Sequence, residues 1–414
     1  MTGKKIAVVI LNEIISVVGG AITAFYKISG ILAENNEVFG IFHDSRYSEK
    51  FKQLDNGVKL YNLYDKTNKN IKSIFDERIS EINPDVIIFF YPRDVKKLLN
   101  KDDFPSIKKV LLNRSRPDFY REYPDIKEII SDFSCTQVFF DSFKKFCEPY
   151  FKGPVVTIEN AIPVREKTVD LDNEKKRIIF LSRIDIWKGA DLLINAAKIV
   201  HEKQKDWQFY LYGQIDPRRY AKKLQELINK NGLKDTVFLA GITKNIEEAF
   251  LNSDICAFPS YFEGVGNGLI EAQSYGLPAV ILRGCSGANE IVTDGYNGFL
   301  ADDTPEDFAE KLLILIEDKA KRIEMSKNSL ENNKKYTEEI IKNKWNELVA
   351  HLDDNDFSSI ECKEPKKDVE IFPLQKIYDL LYKNRQMSFV QRIFSVSNFG
   401  NKKMVCVLGI KFII

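Results

Sequence analysis

Short apolar runs of strand length alternate along this chain with longer stretches whose apolar positions recur at helical spacing. The first runs cover residues 6–11, 38–42, 86–90, 110–112, 138–140 and 155–158, with an amphipathic helix expected over about 21–33. A charged stretch without strand character, "REKTVDLDNEKKR" over 165–177, interrupts the rhythm. It restarts with runs at 178–181, 208–212, 237–239, 255–258, 279–282 and 299–300, then gives way to helical pattern over 305–319 and around 340–352. Strands and helices in alternation predict parallel sheets covered by helices. The chain therefore reads as an α/β protein of two doubly wound domains, 1–164 and 165–337, joined by a polar linker, with a ligand expected in a cleft between them. Residues 338–375 read as a helix and linker returning to the first domain, and 376–414 as a basic amphipathic tail.

A chain of 414 residues with 44% hydrophobic content can fill two or three cores. Its 61 Lys and Arg balance 60 Asp and Glu to a net +1, so no global field calls for nucleic acid, and none is expected as a partner. The balance hides a split. Residues 376–414 hold seven basic side chains and one acid, Asp379, for a net +6, so the rest of the chain carries −5. The six cysteines form no C-x-x-C pair, and His43, His201 and His351 stand far apart, which leaves no zinc pattern and implies reduced thiols in a cytosolic protein. Lys4-Lys5 ahead of an apolar run imitates a secretion signal, but Asn12 and Glu13 break that run after six residues, and a first β-strand is expected instead. No apolar stretch approaches the roughly 20 residues of a membrane span.

The densest chemistry lies in "YFEGVGNGLIEAQSYGLPAV", residues 261–280. Gly264, Gly266 and Gly268 permit positive φ and close backbone approach, and Asn267 can cap a helix that begins at Leu269 and runs to Tyr275. Gly276 and then Pro278 end it in the usual order. Amides at the start of such a helix, with the positive end of its dipole, suit an anion such as a phosphate. Glu263 sits in the elbow and Glu271 in the early turns of the helix. Two carboxylates could form a hydrolase pair, which needs a separation of roughly 5–9.5 Å. Eight residues at about 1.5 Å of rise give around 12 Å, so the two are expected to address different parts of one long ligand. Each can accept two hydrogen bonds from a vicinal diol, one on a sugar and the other on a ribose.

Phosphates also need cations. "LSRIDIWKGADLL" sets Arg183 just after the first strand of the second domain and Lys188 five residues on, before Gly189 and a new helix. A guanidinium fork with an ammonium point charge suits a diphosphate.

The stretch "FPSYFEGVGNGLIEAQSYGLPAV" resembles the E-x7-E region of retaining glycosyltransferases of the GT-B fold, the large family 4 kind. "SRIDIWKGADLLINA" is similar to that family's Arg/Lys phosphate segment, "SGANEIVTDGYNGFL" to its loop near the donor, "IENAIPV" to its interdomain strand end, and Gly19-Gly20 to its N-terminal glycine loop. The likeness spans about residues 5–350. It implies two Rossmann-like domains and transfer of a sugar, by default from a UDP-hexose or UDP-N-acetylhexosamine, with retention of anomeric configuration. By the same resemblance Glu263 would contact hydroxyls of the transferred sugar and Glu271 the ribose. Backbone amides of Val265, Gly266, Asn267 and Gly268, with Gly264 and Leu269 beside them, would face the sugar and distal phosphate. Arg183 and Lys188 would hold the diphosphate, and Glu290 would border the donor pocket. The acceptor would attack on the face from which the diphosphate leaves, the leaving phosphate taking its proton, so catalysis rests on stabilising that leaving group and orienting the sugar.

The sequence departs from that family in its first domain, where many relatives carry a His on a loop facing the sugar. Here the loops read "FFYPRD" and "LLNRSRPDFY", leaving Asn113, Arg114 or Arg116 as substitutes or as surface residues. His43 is expected to be structural. No metal or other cofactor is expected, since the D-x-D strings at Asp170 and Asp354 read as solvated charge. A non-catalytic subunit of the same fold, binding nucleotide or glycan and regulating a partner, stays open as an alternative. A dinucleotide-dependent dehydrogenase does not, because Gly19-Gly20 comes too late and lacks the G-x-G-x-x-G spacing. The tail resembles those of bacterial transferases that build lipopolysaccharide or capsule. Its "KIYDLLYKNRQMSFVQRIF" suits an amphipathic surface helix, and its charge suits an anionic membrane. The expected location is therefore cytoplasmic, peripheral on the inner face of the plasma membrane, and the acceptor a glycan or a lipid-linked one.

Overall fold

Most of the apolar runs become strands of two parallel sheets, because a strand buried on both faces needs a continuous apolar sequence rather than an alternating one. The computed structural model describes residues 3–11, 20–46, 51–65, 70–115, 124–215, 218–354, 356–358, 360, 371–373, 394–399, 402–407 and 410–413. Gly19, Arg116 and residues 376–393 of the amphipathic helix expected over 376–394 lie outside the described residues, and its last residue, Phe394, opens a strand.

The chain divides into two units, residues 1–161 with 338–367, and 162–337 with 368–414. The first holds β1 (Lys5–Ile10), β2 (Glu37–Phe42), β3 (Phe51–Gln53), β4 (Lys59–Asn62), β5 (Val86–Phe89), β6 (Lys108–Leu112), β7 (Cys135–Val138) and β8 (Val155–Thr157). They form one sheet in the order β3-β4-β2-β1-β5-β6-β7-β8, parallel except where β3 meets β4. Helix Gly20–Ala33 buries Phe25, Ile28 and Leu32 against it. The same core receives Ile341, Trp345, Leu348 and Val349 from helix Glu338–Ala350, whose spacing puts them on one face. Trp345 is 1% exposed, so its removal is expected to cost about 3–5 kcal/mol.

Two features of this unit differ from the pattern's expectation. The strand expected at 138–140 lies at β7, three residues earlier, and contains two buried polar side chains, Thr136 and Gln137. Each donates to a backbone carbonyl, the Thr136 hydroxyl to Leu111 O at 2.9 Å and the Gln137 side-chain amide to Val138 O at 2.8 Å, while Oε1 of Gln137 is buried without a hydrogen-bond partner. Phe139 and Phe140 are buried just beyond the strand end, so apolarity there marks the core and not the ladder. The pattern also misses β3 and β4, which are short and only partly buried.

The second unit holds β9 (Arg177–Leu181), β10 (Gln208–Tyr212), β11 (Val237–Gly241), β12 (Ile255–Phe258), β13 (Ala279–Leu282) and β14 (Gly298–Ala301). All pair in parallel, in the order β11-β10-β9-β12-β13-β14. Chain order runs outward in one direction from β9 and in the other from β12, which makes the β9/β12 boundary the topological switch point. The polar stretch before β9 is tied down. Asp254 accepts the amides of Lys175 and Arg177 at 3.0 Å, and Arg165 donates to the Ser274 hydroxyl at 3.0 Å while lying 4.5 Å over the Tyr275 ring.

Of residues 338–375, expected as a helix and linker returning to the first domain, the described ones up to Ile360 group with the first unit and Ile371–Pro373 with the second. Beyond them, β15 (Phe394–Phe399), β16 (Lys402–Val407) and β17 (Ile410–Ile413) form an antiparallel sheet of three strands, pairing Val396 with Val405 and Cys406 with Lys411. No described helix is long and apolar enough to cross a membrane.

Candidate functional site

The strands β9, β12 and β13 are parallel neighbours, so the loops that follow them emerge at one edge, on the switch point. After β9, the amide of Ser182 donates to Tyr212 O at 3.1 Å and that of Ile184 to Gln214 O at 2.8 Å, which holds the loop against the end of β10. Asp185 then organises a single 3-10 turn, Ile186–Lys188. One of its carboxylate oxygens accepts the Trp187 amide at 3.0 Å and the other the Arg183 Nε at 2.7 Å. Lys188 ends that turn, and its Nζ lies 2.5 Å from Oε1 of Glu263, with the two side chains only 15% and 12% exposed. At that burial, leaving either charge alone costs more than the 0–1 kcal/mol of an exposed pair.

Glu263 is fixed through its backbone. Its amide donates to Ser286 O and the Ser286 hydroxyl donates to Glu263 O, both at 3.0 Å, clamping the loop after β12 to the loop after β13. The amide of Tyr261 donates to Trp187 O at 2.9 Å, and the rings of Trp187 and Phe262 meet edge to face at 5.4 Å. Three loops thus converge on one lysine–glutamate pair.

Of the elbow glycines only Gly266 takes a positive φ, +78°, and it is the N-cap of helix Asn267–Ser274. Asn267, expected to cap, is the first helical residue: the left-handed turn needs glycine, and the Gly266 carbonyl accepts from the amides of both Leu269 and Ile270. Gly268 serves close approach, since a Cβ there would come 2.5 Å from Leu181 O. The first turn of the helix therefore rides on the end of β9, beside the phosphate segment. Val265 and Leu269 are buried and anchor that turn. Glu271 follows in the second turn. Because the helix starts only at Asn267, the 12 Å rise expected between the two glutamates does not apply, as half of the interval is loop. At the far end Gly276 donates to Gln273 O and Leu277 to Ala272 O, a Schellman ending.

Glu290 is buried in the short helix Ala288–Ile291 that follows Ser286, and Gly287 before it lies so near the elbow that a Cβ would come 2.6 Å from Gly264 O. Gly20 opens helix Gly20–Ala33 in the first unit. Asp185 and Ser286 escape the sequence reading. Asp185 carries a signal, an Asx turn two residues ahead of Trp187, whereas the role of Ser286 depends on the meeting of two distant loops.

The corresponding edge of the first unit is built differently. Asp94 is fully buried, accepts the Leu11 amide at 3.3 Å and faces the Arg93 Nε at 3.5 Å. Burial outweighs that guanidinium and pushes the Asp94 carboxyl up to about 7. Arg114 lies 4.3 Å over the Phe139 ring and donates through Nη2 to Asn160, and burial pulls it down to about 10, so it stays charged at neutral pH. Asn113 is buried and structural, donating its amide to Gln137 O at 2.8 Å, and His43 packs edge-on to Tyr64.

Among the described residues no group of three or more His, Cys, Asp and Glu is placed to hold a metal ion. The Asp170 carboxylate closes a local turn by accepting the Asp172 amide at 3.1 Å. The Cys256 thiol is pushed up to about 12 by burial, which makes it inert.

Residues 164–332 match the model of the family "Glycosyl transferases group 1". Over 193 residues, 46% of this chain and 38% of the relative, the sequence is 28% identical to a poly(ribitol-phosphate) alpha-N-acetylglucosaminyltransferase of Staphylococcus aureus. It is 29% identical, over 44% of this chain and 47% of the relative, to the N,N'-diacetylbacillosaminyl-diphospho-undecaprenol alpha-1,3-N-acetylgalactosaminyltransferase of Campylobacter jejuni. The chain thus spans less than half the length of these curated relatives. A TarM variant of S. aureus, solved in complex with fondaparinux, alpha-GlcNAc-glycerol and UDP, superimposes with a TM-score of 0.69 at 16% identity, covering 83% of this chain and 99% of that one. The fold is GT-B, with two Rossmann-like units.

Proposed function

We propose that this chain, which belongs to the glycosyl transferases group 1 family through residues 164–332, is a retaining glycosyltransferase. It would move a hexose or N-acetylhexosamine from a UDP sugar to a glycan or lipid-linked acceptor in lipopolysaccharide or capsule synthesis. The observation that carries this reading is the Lys188–Glu263 pair, held 2.5 Å apart at the switch point by loops from three strands. An ammonium and a carboxylate side by side suit a ligand whose negative diphosphate adjoins a hydroxyl-bearing sugar.

In this reading Lys188 and Arg183 neutralise the diphosphate, and the amides opening helix Asn267–Ser274, at Gly266, Asn267 and Gly268, add their dipole to its distal phosphate. Glu263 orients the sugar and Glu271 the ribose. As the bond from the anomeric carbon to the phosphate oxygen lengthens, negative charge grows on the phosphate, and the fixed cations lower the barrier by meeting it. The leaving phosphate oxygen takes the proton of the attacking acceptor hydroxyl on the same face, which retains the configuration. With these groups answering the diphosphate, turnover would need no added divalent metal and would persist in a chelator. UDP is favoured because the S. aureus structure of the same fold was solved with it. The acceptor class follows the names of the two relatives, one acting on poly(ribitol-phosphate) and the other on a diphospho-undecaprenol. The basic residues 376–414 would hold the enzyme on the inner face of an anionic membrane, each contributing about 1 kcal/mol at the surface.

A panel of nucleotide sugars tested for thermal stabilisation and slow hydrolysis examines the donor assignment. One UDP sugar should raise Tm, and NMR of its product should show the donor's anomeric configuration retained. An inverted product, or stabilisation by no nucleotide sugar, contradicts the reading.

A further inference from the structure

The loop after β13 holds Glu263 through Ser286, and it is itself gripped by a piece of chain from far along the sequence. Having left helix Glu338–Ala350 in the first unit, the chain reappears at Ile371–Pro373 in the second. The amide of Phe372 donates to Gly284 O at 2.8 Å. Its ring is 8% exposed and lies against the 6% exposed Tyr261, with centroids 5.9 Å apart at 51°. Gly284 makes room for it: a Cβ there would come 2.7 Å from two atoms of the Phe372 ring and 2.9 Å from a third. One side chain therefore touches both loops that converge on Glu263, at Tyr261 two residues before it and at Gly284 two residues before its clamp Ser286.

We infer that Ile371–Pro373 is a strap that sets the register of these two loops, and that Phe372 is a positioning residue for donor binding. Phe372 touches no reacting group in this scheme. It acts through Tyr261 and Gly284 on the carboxylate of Glu263 and on the ammonium of Lys188 paired with it. A packed ring and a backbone hydrogen bond hold a loop more narrowly than either alone, and a shift of about 1 Å in a binding group can cost up to a hundredfold in rate. The inference rests on the donor-site reading proposed above, and it connects the C-terminal segment to that site.

The test measures UDP and UDP-sugar binding by calorimetry, together with KM, kcat and Tm, on the full chain and its Phe372→Ala, Phe372→Leu, Gly284→Ala and Gly284→Ala/Phe372→Ala forms. Phe372→Ala should weaken UDP-sugar binding and raise its KM by about tenfold or more, and Phe372→Leu should recover most of that loss. Gly284→Ala should produce a similar loss by pushing the ring away, and the double variant should be no worse than Phe372→Ala, because the added methyl then meets empty space. A lowered Tm with unchanged binding and KM in Phe372→Ala would mean that the strap serves stability alone, and would overturn the inference. Should Phe372→Ala fail to fold, Gly284→Ala decides alone: wild-type binding in it overturns the inference. If the unaltered chain binds no nucleotide sugar, the donor-site reading itself fails, which is a separate outcome.

Discussion

The two units present the same kind of sheet edge with opposite chemistry. At the switch point of the second unit, glycine-permitted contacts draw three loops together until a lysine and a glutamate meet at 2.5 Å, still partly open to solvent. In the first unit it is a lone carboxyl beyond β5 that turns inward, while the guanidinium beyond β6 is half-buried. Asp94 is fully buried and pushed up to about 7, and Arg114 is stacked on Phe139. Fold alone therefore does not make a site. What separates the edges is that the second pairs a lysine with a glutamate near the surface, whereas the first buries the Asp94 carboxyl completely.

The comparison breaks most sharply at Glu263. Glu263→Ala should abolish sugar transfer while leaving the fold intact, and circular dichroism beside a turnover assay checks both halves. Arg183→Ala and Lys188→Ala should each lower turnover roughly 100-fold, the scale of losing one contact to developing charge. Near wild-type rates in all three variants would return the pair to the role of a structural salt bridge. Gly268→Ala should act more mildly. Its methyl would press within 2.5 Å of Leu181 O, so the helix must shift, at a cost of about 1–3 kcal/mol in stability and a fall in turnover.

The smallest effect belongs to the first unit. Asp94 is raised from 3.8 to about 7, so the folded state holds a proton that the unfolded chain releases, and stability falls as pH climbs through that window. Asp94→Asn, which mimics the protonated acid, should gain on the wild type between about pH 4 and 7 and keep a constant advantage above. Arg93 and Lys97 pull against burial, and the value of about 7 is what remains after that pull. Parallel stability curves for the two proteins across this range would show that Asp94 does not titrate there.

Much of this is legible in the sequence, and the limits have physical causes. The strands β12 and β13 of the second unit, "ICAF" and "AVIL", are apolar throughout, so their pattern suffices. The strand β7 misleads because it buries two polar side chains, Thr136 and Gln137, which an apolar pattern does not mark. In the elbow, residue types announced a turn before a helix but not which glycine takes the left-handed φ. That falls to Gly266 because the helix starts one residue later. The clamp of Ser286 on Glu263 and the strap at Phe372 join loops distant in sequence, and no local spacing signals them.

The central claim is that the charged loops of the second unit, and not the first, hold the nucleotide diphosphate. Its most direct test is a calorimetric titration of UDP into the unaltered chain and into its Lys188→Ala, Arg183→Ala and Arg93→Ala forms. The first two substitutions should weaken UDP binding by roughly tenfold to a hundredfold, as loss of a charge-assisted contact of about 1.5–3 kcal/mol implies, while Arg93→Ala should leave it unchanged. Loss of UDP binding in Arg93→Ala with full affinity in Lys188→Ala and Arg183→Ala would contradict it.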